Sequence, residues 1–506
     1  MSTQRTTKSA QGASDPTSMV LAESRRKIAA RSWVSAHAGV TETFDVALKC
    51  ISGEIPRDLV GVLFRNGPGT FELFGTRYGH LFDGDGHVQR LAFDGSTVRY
   101  RDRFVDTRER QREREAGRML YRAFGSNRPG GMRANAFDPI FKNAANTTAF
   151  AHRGALYALW EAGLPHRLDP VTLDTLARED FAEALLAPPT RWTEIAGRER
   201  PFSAHPKVDP RTGEMHNFGL ANGPFSSLVL YRMSAEGVMQ APEVHRLDAM
   251  YFVHDFALTE HHRLLFLCPA RFDVVRTMLG LRTPVSGMQY DPSRGTKIWI
   301  VPREGGEPTV LEAPLGFVFH HVNAWENADK TIVCDALVYG HYPTLPHPWD
   351  LDTLAIAPAR ADLAYVTRIT LDPTRRVVQS ERWLDLPCEL PGIDPARVGQ
   401  PYRYAWVTAT DRHRPMQVVT RVAKLDMHTR TTVEREFFPR VVGEPVFVAR
   451  DGASTQDEGW LIVMAYDPTE DRGECHVLDA ATLESVCVLA LPHACPLGFH
   501  GSFVRG

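Results

Sequence analysis

Four of the 20 histidines stand in surroundings typical of metal ligands. Aromatic or small residues flank each of them at the edge of a predicted strand: His205, His254, His320 and His500. Neutral imidazole binds iron, copper, nickel and zinc alike, so the ligand type does not select the metal. The sequence has no His-Glu-x-x-His motif, Gly-x-Ser-x-Gly elbow or phosphate loop. We therefore predict a four-histidine metal site assembled from distant parts of the chain.

A turn repeat indicates how residues so far apart can meet. An apolar or aromatic residue followed by Asp and a turn recurs at Asp169, Asp209, Asp291, Asp372, Asp426 and Asp479. The intervals are one or two units of roughly 40–55 residues, which is the period of propeller blades. We predict an all-β protein with one propeller domain over residues 36–506. Residues 1–35 precede it, disordered to about residue 18 and then forming a short helix over Met19–Trp33.

Composition excludes several classes of protein. The 58 basic and 61 acidic residues give a net charge of -3, which lacks the basic footprint of a nucleic-acid binder. Seven scattered cysteines without a CxxC pair argue against a disulfide framework and favour the cytoplasm. No apolar run reaches the ~18–20 residues of a membrane span, although a peripheral membrane contact stays open. The alternating charges of 108–115 predict a solvated surface.

The histidine segments resemble, in the same order, the iron-binding motifs of the carotenoid cleavage oxygenases. Other segments that match this family are Phe64–Pro68, Phe82–Gly86, Lys142–Asn146 and Leu159–Ala162. The likeness begins near residue 45, and the stretch from Met119 to Leu168 is most similar to bacterial apocarotenoid-15,15′-oxygenases. The resemblance implies a seven-bladed β-propeller whose capping dome of loops and short helices covers an Fe²⁺ ion at the end of an apolar tunnel.

The resemblance also implies roles for individual residues. Glutamates that hold three of the ligand histidines match Glu161, Glu389 and Glu444. Thr147 matches the residue beside the open coordination position, and Thr148 stands where the family often has Asn. The tunnel positions match Trp160, Phe252, Phe319 and Tyr339, for each of which core packing is an equal alternative.

Two further positions follow from the same likeness. Successive strand side chains point to opposite faces, so one of His320 and His321 can meet the ion, and the family pattern selects His320. The apolar loop Arg271–Gly287 matches a tunnel entrance that dips into membranes.

The implied activity is the cleavage of a conjugated C=C bond of an apocarotenoid by O2 into two carbonyl products, with retinal formed by central cleavage. The partners are then an apolar polyene and O2. One alternative is a related dioxygenase that cleaves stilbenes or other phenolic olefins. Another, of a different class, is a non-enzymatic propeller that serves as an interaction platform.

Overall fold

The computed structural model of the chain describes residues 16–191, 193, 197–221, 226–343, 351–354, 363–410, 418–494 and 497–506. This part of the chain is mostly β-structure, as predicted, with five α-helices. The helices are α1 (Pro16–Ala36), α2 (Arg108–Ala116), α3 (Gly131–Asn135), α4 (Val274–Met278) and α5 (Leu351–Leu354). None of them is long and apolar enough to cross a membrane.

The strands of the first half, in chain order, are β1 (Asp45–Ala47), β2 (Lys49–Gly53), β3 (Val60–Pro68), β4 (Glu72–Leu73), β5 (Thr76–Arg77), β6 (Gly86–Asp94), β7 (Val98–Phe104), β8 (Thr148–His152), β9 (Ala155–Leu159), β10 (His166–Leu168), β11 (Thr175–Arg178), β12 (Lys207–Val208), β13 (Met215–Ala221), β14 (Ser227–Met233), β15 (Glu243–Arg246), β16 (Ala257–Leu258) and β17 (His262–Leu267). Those of the second half are β18 (Ala270–Phe272), β19 (Met288–Tyr290), β20 (Thr296–Pro302), β21 (Thr309–Ala313), β22 (Phe317–Glu326), β23 (Ile332–Tyr339), β24 (Ala364–Asp372), β25 (Val377–Gly392), β26 (Tyr404–Ala409), β27 (Arg421–Asp426), β28 (Thr431–Glu436), β29 (Val441–Val442), β30 (Val446–Ala449), β31 (Gly459–Asp467), β32 (Arg472–Asp479), β33 (Ser485–Ala490) and β34 (His500–Arg505).

The strands form five larger sheets and two short hairpins, β4–β5 and β18–β19. The largest sheet has the order β1-β7-β6-β3-β34-β8-β9-β10-β11, and a second runs continuously from β22 to β28. Two four-stranded sheets consist of β12–β15 and of β16-β17-β20-β21. The fifth has the order β2-β33-β32-β31-β29, with β30 also paired to β31. Strands from the two ends of the chain therefore pair with each other, β3 with β34 and β2 with β33.

The repeated aspartates begin turns, as predicted. The Oδ1 atom of Asp169 accepts hydrogen bonds from the amides of Val171 and Thr172, and Asp479 does the same for Ala481 and Thr482. A carboxylate that accepts amides two and three residues on fixes the chain reversal between neighbouring strands. The same contact recurs at Asp209, Asp291, Asp372 and Asp426.

Helix α1 is longer than the predicted Met19–Trp33 and packs against the β-structure. Its apolar side, with Ala29, Ala30 and Trp33, is buried in a cluster with Val441 and Tyr466. The expectation for the first residues, 1–15, lies outside the described part of the chain.

The prediction of a solvated surface over 108–115 is wrong for one side of helix α2. Glu109 and Glu113 are buried, because a spacing of four residues puts them on the same helix face. Glu113 lies 2.7 Å from the Nζ atom of buried Lys142, and the backbone amides of Leu120 and Tyr121 donate to its other oxygen. Alternating charge along a sequence does not show which side of the helix has buried partners.

Candidate metal centre

The four predicted histidines lie together. His320 is in β22 and His500 begins β34, while His205 and His254 are in the segments that precede β12 and β16. One nitrogen from each ring lies within 4.8 Å of the others. The Nε2 atom of His254 is 2.9 Å from that of His205 and 3.2 Å from that of His320. Four separate stretches of chain thus bring imidazoles to one point.

The opposite ring nitrogens of three of these histidines face carboxylates. The Nδ1 atom of His320 is 2.6 Å from Glu389, that of His500 is 2.7 Å from Glu444, and that of His254 is 3.0 Å from Glu161. A carboxylate only accepts hydrogen bonds, so each neutral ring carries its proton on Nδ1 and presents a lone pair at Nε2. Lone pairs at His254 and His320 that face each other at 3.2 Å need a cation between the rings. The donor set therefore fits a bound metal ion.

Two of the carboxylates have strong partners of their own. Buried Arg65 pairs with Glu444 and also donates to the carbonyl of Phe499. The hydroxyl of Tyr339 donates to Glu389 at 2.9 Å, and the amide of Leu390 donates to its other oxygen at 2.9 Å. These contacts fix the carboxylates and, through them, the planes of two imidazoles.

Glu161 is held less firmly. Its side chain is 27% exposed, against 10% for Glu389 and 12% for Glu444. Its Oε1 atom lies 3.0 Å from His254 but makes no well-aligned hydrogen bond among the described residues. The three histidine–carboxylate pairs are therefore unequal.

The local charges set the protonation of the site. Burial acts to raise the pKa of Glu389, but the His320 imidazole, the Leu390 amide and the Tyr339 hydroxyl together outweigh it and leave that pKa lowered. Burial acts to lower the pKa of His320, but the carboxylates of Glu389, Asp255 and Glu444 together outweigh it and leave that pKa raised. Burial, with the neighbouring imidazoles of His254 and His500, holds the pKa of His205 well below its usual value. The ring of His205 is thus neutral at pH 7 and free to act as a ligand.

The charges around the histidines favour a divalent ion. The carboxylates are Glu161, Glu389, Glu444 and Asp255, and the cations paired with them are Arg65 and Lys207. With neutral imidazoles, this set carries two negative charges in a buried place. Because uncompensated buried charge is costly, a dication suits the site better than a neutral occupant.

His321 is close to the cluster but is not one of the four. Its strand has register irregularities on both sides of it, between Val318 and His321 and between His321 and Asn323. The ring packs on Phe266, with 4.9 Å between the ring centroids, and its Nδ1 atom is 3.4 Å from Asp255. Neither ring nitrogen has a hydrogen-bond partner among the described residues.

Thr147 lies beside His500. Its backbone carbonyl accepts a hydrogen bond from the backbone amide of His500 at 3.2 Å. The next residue, Thr148, is the strand partner of His500 where β8 meets β34. The side chain of Asn146 anchors this segment through hydrogen bonds to the carbonyls of Phe82 and Gly84. The buried threonine is therefore held in a fixed position next to one candidate ligand.

Three of the four predicted tunnel residues form an aromatic side of the centre. The ring of Phe319 lies 5.6 Å from that of His254 and 5.9 Å from that of Phe252. Tyr339 lies 5.8 Å from Phe319, and its hydroxyl is engaged by Glu389. Trp160 is half-buried beside Glu161 and makes no ring contact among the described residues.

Sequence reasoning missed four more aromatic residues of this side: Phe82, Phe124, Phe317 and Tyr342. Phe124 lies between Phe82, at 5.8 Å, and Phe252, at 6.1 Å. Phe317 and Tyr342 lie 5.0 Å apart and both contact Phe252. A signal was present for Phe82 and Phe124, which stand in segments that carry the family resemblance.

A cavity of about 170 Å³, here called the polar cavity, lies against the same histidines. Its walls include Lys207, Asp255, His321, Glu444 and Ser502, together with His205, His320 and His500. None of the aromatic residues named above lines it. The histidine cluster therefore separates an aromatic side from a polar one.

Comparisons with known proteins agree on one family. The family model described as retinal pigment epithelial membrane protein matches residues 37–505. Apocarotenoid-15,15′-oxygenase of Synechocystis sp. is 32% identical, over 97% of this chain and 99% of the relative. Isoeugenol monooxygenase of Pseudomonas putida is 29% identical, over 89% of this chain and 93% of the relative. The crystal structure of cobalt-substituted Synechocystis ACO has a TM-score of 0.85 and 32% identity, covering 94% of this chain and 99% of that one.

Proposed function

The chain belongs to the family of retinal pigment epithelial membrane protein and the carotenoid oxygenases, and from this membership we propose that it is an Fe²⁺-dependent oxygenase that cleaves apocarotenoids. The reaction joins one O2 to one conjugated C=C bond and yields two carbonyl products. Relatives named as oxygenases make the chain an oxygenase rather than the non-enzymatic platform. The observation that carries the proposal is the four-histidine cluster beside an aromatic wall.

We infer that the fold is a seven-bladed propeller. The largest sheet divides at the single β8–β34 contact, and the sheet from β22 to β28 divides within the long strand β25. With the other three sheets, this gives seven antiparallel units. We also propose that residues 36–506 form one domain and that residues 1–35 precede it, with helix α1 packed on its surface.

Iron is the metal we propose for the four histidines. Four neutral imidazoles leave the ion its full charge, and they suit several metals, so the choice of iron rests on family membership. Bound iron(II) would supply the electrons that allow O2 to react with an alkene. The part of the protein is to fix the imidazoles through Glu161, Glu389 and Glu444 and to keep the methyl group of Thr147 beside the open position.

The aromatic side is the proposed binding site of the polyene. Rings of Phe252, Phe319, Phe317 and Phe124, packed edge-on or tilted against one another, give an apolar wall that suits a long, rigid chain of conjugated double bonds. The wall also excludes water from the double bond. Trp160 and Tyr339 belong to this proposed site, with the hydroxyl of Tyr339 turned toward Glu389 rather than toward a ligand. We propose central cleavage, with retinal as one product.

A phenolic olefin is the second candidate substrate. Two of the relatives are named isoeugenol monooxygenases, after a phenolic alkene. Tyr342 contributes a half-buried phenolic side chain to the aromatic side. Its hydroxyl can donate a hydrogen bond to a ligand that carries oxygen. An aldehyde end of an apocarotenal and a phenol would both satisfy it.

An exposed apolar surface supports a peripheral membrane contact. Val275 is 68% exposed and Leu281 57% exposed in the predicted loop, and Phe137, 74% exposed, and Ile140, 57% exposed, extend the surface. The amide of Phe137 donates to the carbonyl of Met278, so the two segments are adjacent. We propose that this surface, named the apolar rim, rests on a bilayer where carotenoids dissolve.

The test is a substrate panel with the purified protein loaded with Fe²⁺. We expect long apocarotenals to be cleaved at the central double bond, with retinal identified by mass, and hydroxystilbenes and isoeugenol to react slowly. Faster turnover of the phenolic olefins, at saturating detergent-solubilised substrate, would overturn the substrate assignment. Absence of bound iron in active protein would overturn the assignment of iron as the cofactor.

A further inference from the structure

The polar cavity has no part in the proposed binding of the polyene, and its wall carries groups that bind cations. Asp255 is 3% exposed and His321 is 6% exposed. Because a water molecule needs only about 10–15 Å³ of such space, 170 Å³ holds a partly hydrated ion. Lys207 in its wall has a side chain that is 24% exposed and therefore contacts solvent.

His321 is the unusual group in this cavity. A buried imidazole normally has well-aligned hydrogen-bond partners, yet neither nitrogen of His321 makes such a bond with the described residues, and its Nδ1 atom has only the longer contact with Asp255. The Oδ2 atom of Asp255 accepts the backbone amide of His321 at 2.8 Å and lies 3.4 Å from the ring Nδ1 atom. Imidazole nitrogen and carboxylate oxygen together form a donor pair suited to a divalent transition metal.

We propose that the polar cavity is the route by which a divalent metal ion reaches the four histidines, and that His321 and Asp255 form a transient cation site on this route. The inference rests on the proposed function, because it requires the histidines to be metal ligands. His320 and His500 line the same cavity, so an ion held at His321 has a direct polar path to them. The aromatic side offers no comparable path, since its rings cannot replace the water lost by a dication.

Lys207 occupies the position of a competing cation. Its Nζ atom lies 2.8 Å from Oδ1 of Asp255, where an entering ion would also bind. An ion that takes this oxygen displaces the ammonium toward solvent. Lys207 therefore slows entry while the centre is empty, and it restores the charge of Asp255 once the ion has moved on.

The experiment follows the uptake of Co²⁺ by metal-free protein, using the visible absorption of the bound ion and the metal content of the final protein. A cobalt-substituted structure exists for a similar protein, which makes Co²⁺ a suitable probe. We expect His321→Ala to slow uptake about 10-fold and Lys207→Gln to accelerate it about 10-fold, within the range by which focusing of charge alters association rates. Both should end at one ion per chain.

Two variants serve as matched controls. His166 is 1% exposed and both its ring nitrogens also lack partners among the described residues, but it does not line the polar cavity. His166→Ala should therefore take up Co²⁺ at the wild-type rate, as should Lys207→Arg, which keeps the charge. His321→Gln replaces His321→Ala if the smaller side chain prevents folding.

Each outcome is decisive. Wild-type uptake rates in folded His321→Ala, His321→Gln and Lys207→Gln would overturn the route. Loss of the final bound ion in folded His321→Ala would also overturn it, because His321 would then belong to the centre itself. Wild-type protein that binds no Co²⁺ would contradict the proposed metal centre instead.

Discussion

The two sides of the histidine cluster are built from different chemistry. The aromatic side presents rings such as Phe252 and Phe319, and its tyrosine nearest the centre, Tyr339, has its hydroxyl engaged. The polar cavity on the other side has a carboxylate, an ammonium group and an imidazole that makes no well-aligned hydrogen bond with the described residues. The cluster between them is a boundary between a dry and a wet compartment. Under the proposed function, the apolar substrate would bind on the aromatic side and the hydrated ion would arrive through the polar cavity.

The carboxylates that orient the histidines also differ across this boundary. Glu444 lines the polar cavity and is neutralised by Arg65, whereas Glu389 is held on the aromatic side by Tyr339. A charged partner keeps a carboxylate ionised by Coulomb attraction, and a hydroxyl does so by a directional hydrogen bond. One type of histidine–glutamate pair is thus stabilised in two environments, by an ion pair with Arg65 in one and by a hydrogen bond from Tyr339 in the other.

The largest effect should come from removing one of the four candidate metal ligands. We expect His320→Ala to abolish activity and to lower metal affinity by more than the ~10–100-fold typical of an outer partner. The change also leaves the buried charge of Glu389 without its imidazole. His321→Ala, one residue away, should keep one ion per chain at equilibrium. Equal loss of metal in both variants, with circular dichroism unchanged, would refute the assignment of His320.

Next in size are the glutamates. Glu444→Gln and Glu389→Gln should each reduce metal affinity and turnover about 10–100-fold, because an amide oxygen is a weaker acceptor for the imidazole N–H group. Glu161→Gln should have a smaller effect, under about 10-fold, since its pair is looser and more exposed. Glu444→Gln should also lower the melting temperature, because Arg65 is left buried without a counter-ion. Normal metal affinity in all three variants would exclude the proposed role of these glutamates in orienting the ligand histidines.

A smaller effect is expected on the dry side. Phe252→Ala removes ring contacts with Phe124, Phe317 and Phe319, and each such pair contributes about 0.5–1.5 kcal/mol. We expect KM for an apocarotenal to rise roughly 10-fold and the metal content to stay at the wild-type level. A fall in metal content with no change in KM would show that Phe252 supports the metal centre and not the substrate site.

The smallest effect is expected at the apolar rim on the protein surface. Val275→Ser and Phe137→Ser should each weaken binding to phospholipid vesicles roughly 5-fold, about 1 kcal/mol, below the ~1.5–3 kcal/mol of full burial. Turnover of detergent-solubilised substrate should not change. Unaltered sedimentation with vesicles in the double variant would exclude the rim as a membrane contact.

The family resemblance supplied the candidate ligands and the glutamates, because each stands in a short segment that matches a motif of the family. It could not identify Arg65 as the partner of Glu444, since 379 residues separate them and no local pattern links them. The buried side of helix α2 was missed for the same reason, because its partner Lys142 comes from another segment. The polar cavity was also missed, because the residues that line it come from distant segments that no local pattern links.

The pairing of β3 with β34 has a consequence for the synthesis of the protein. The ribosome releases a chain from its N-terminus, so His205, His254 and His320 emerge well before His500, which sits in the strand that closes the largest sheet. At roughly 5–20 residues per second, the first and last of the four are separated by tens of seconds. During that interval a nascent chain has only part of the ligand set and lacks the strand that covers Asn66. The four-histidine cluster is thereby completed only after the closing strand has been translated.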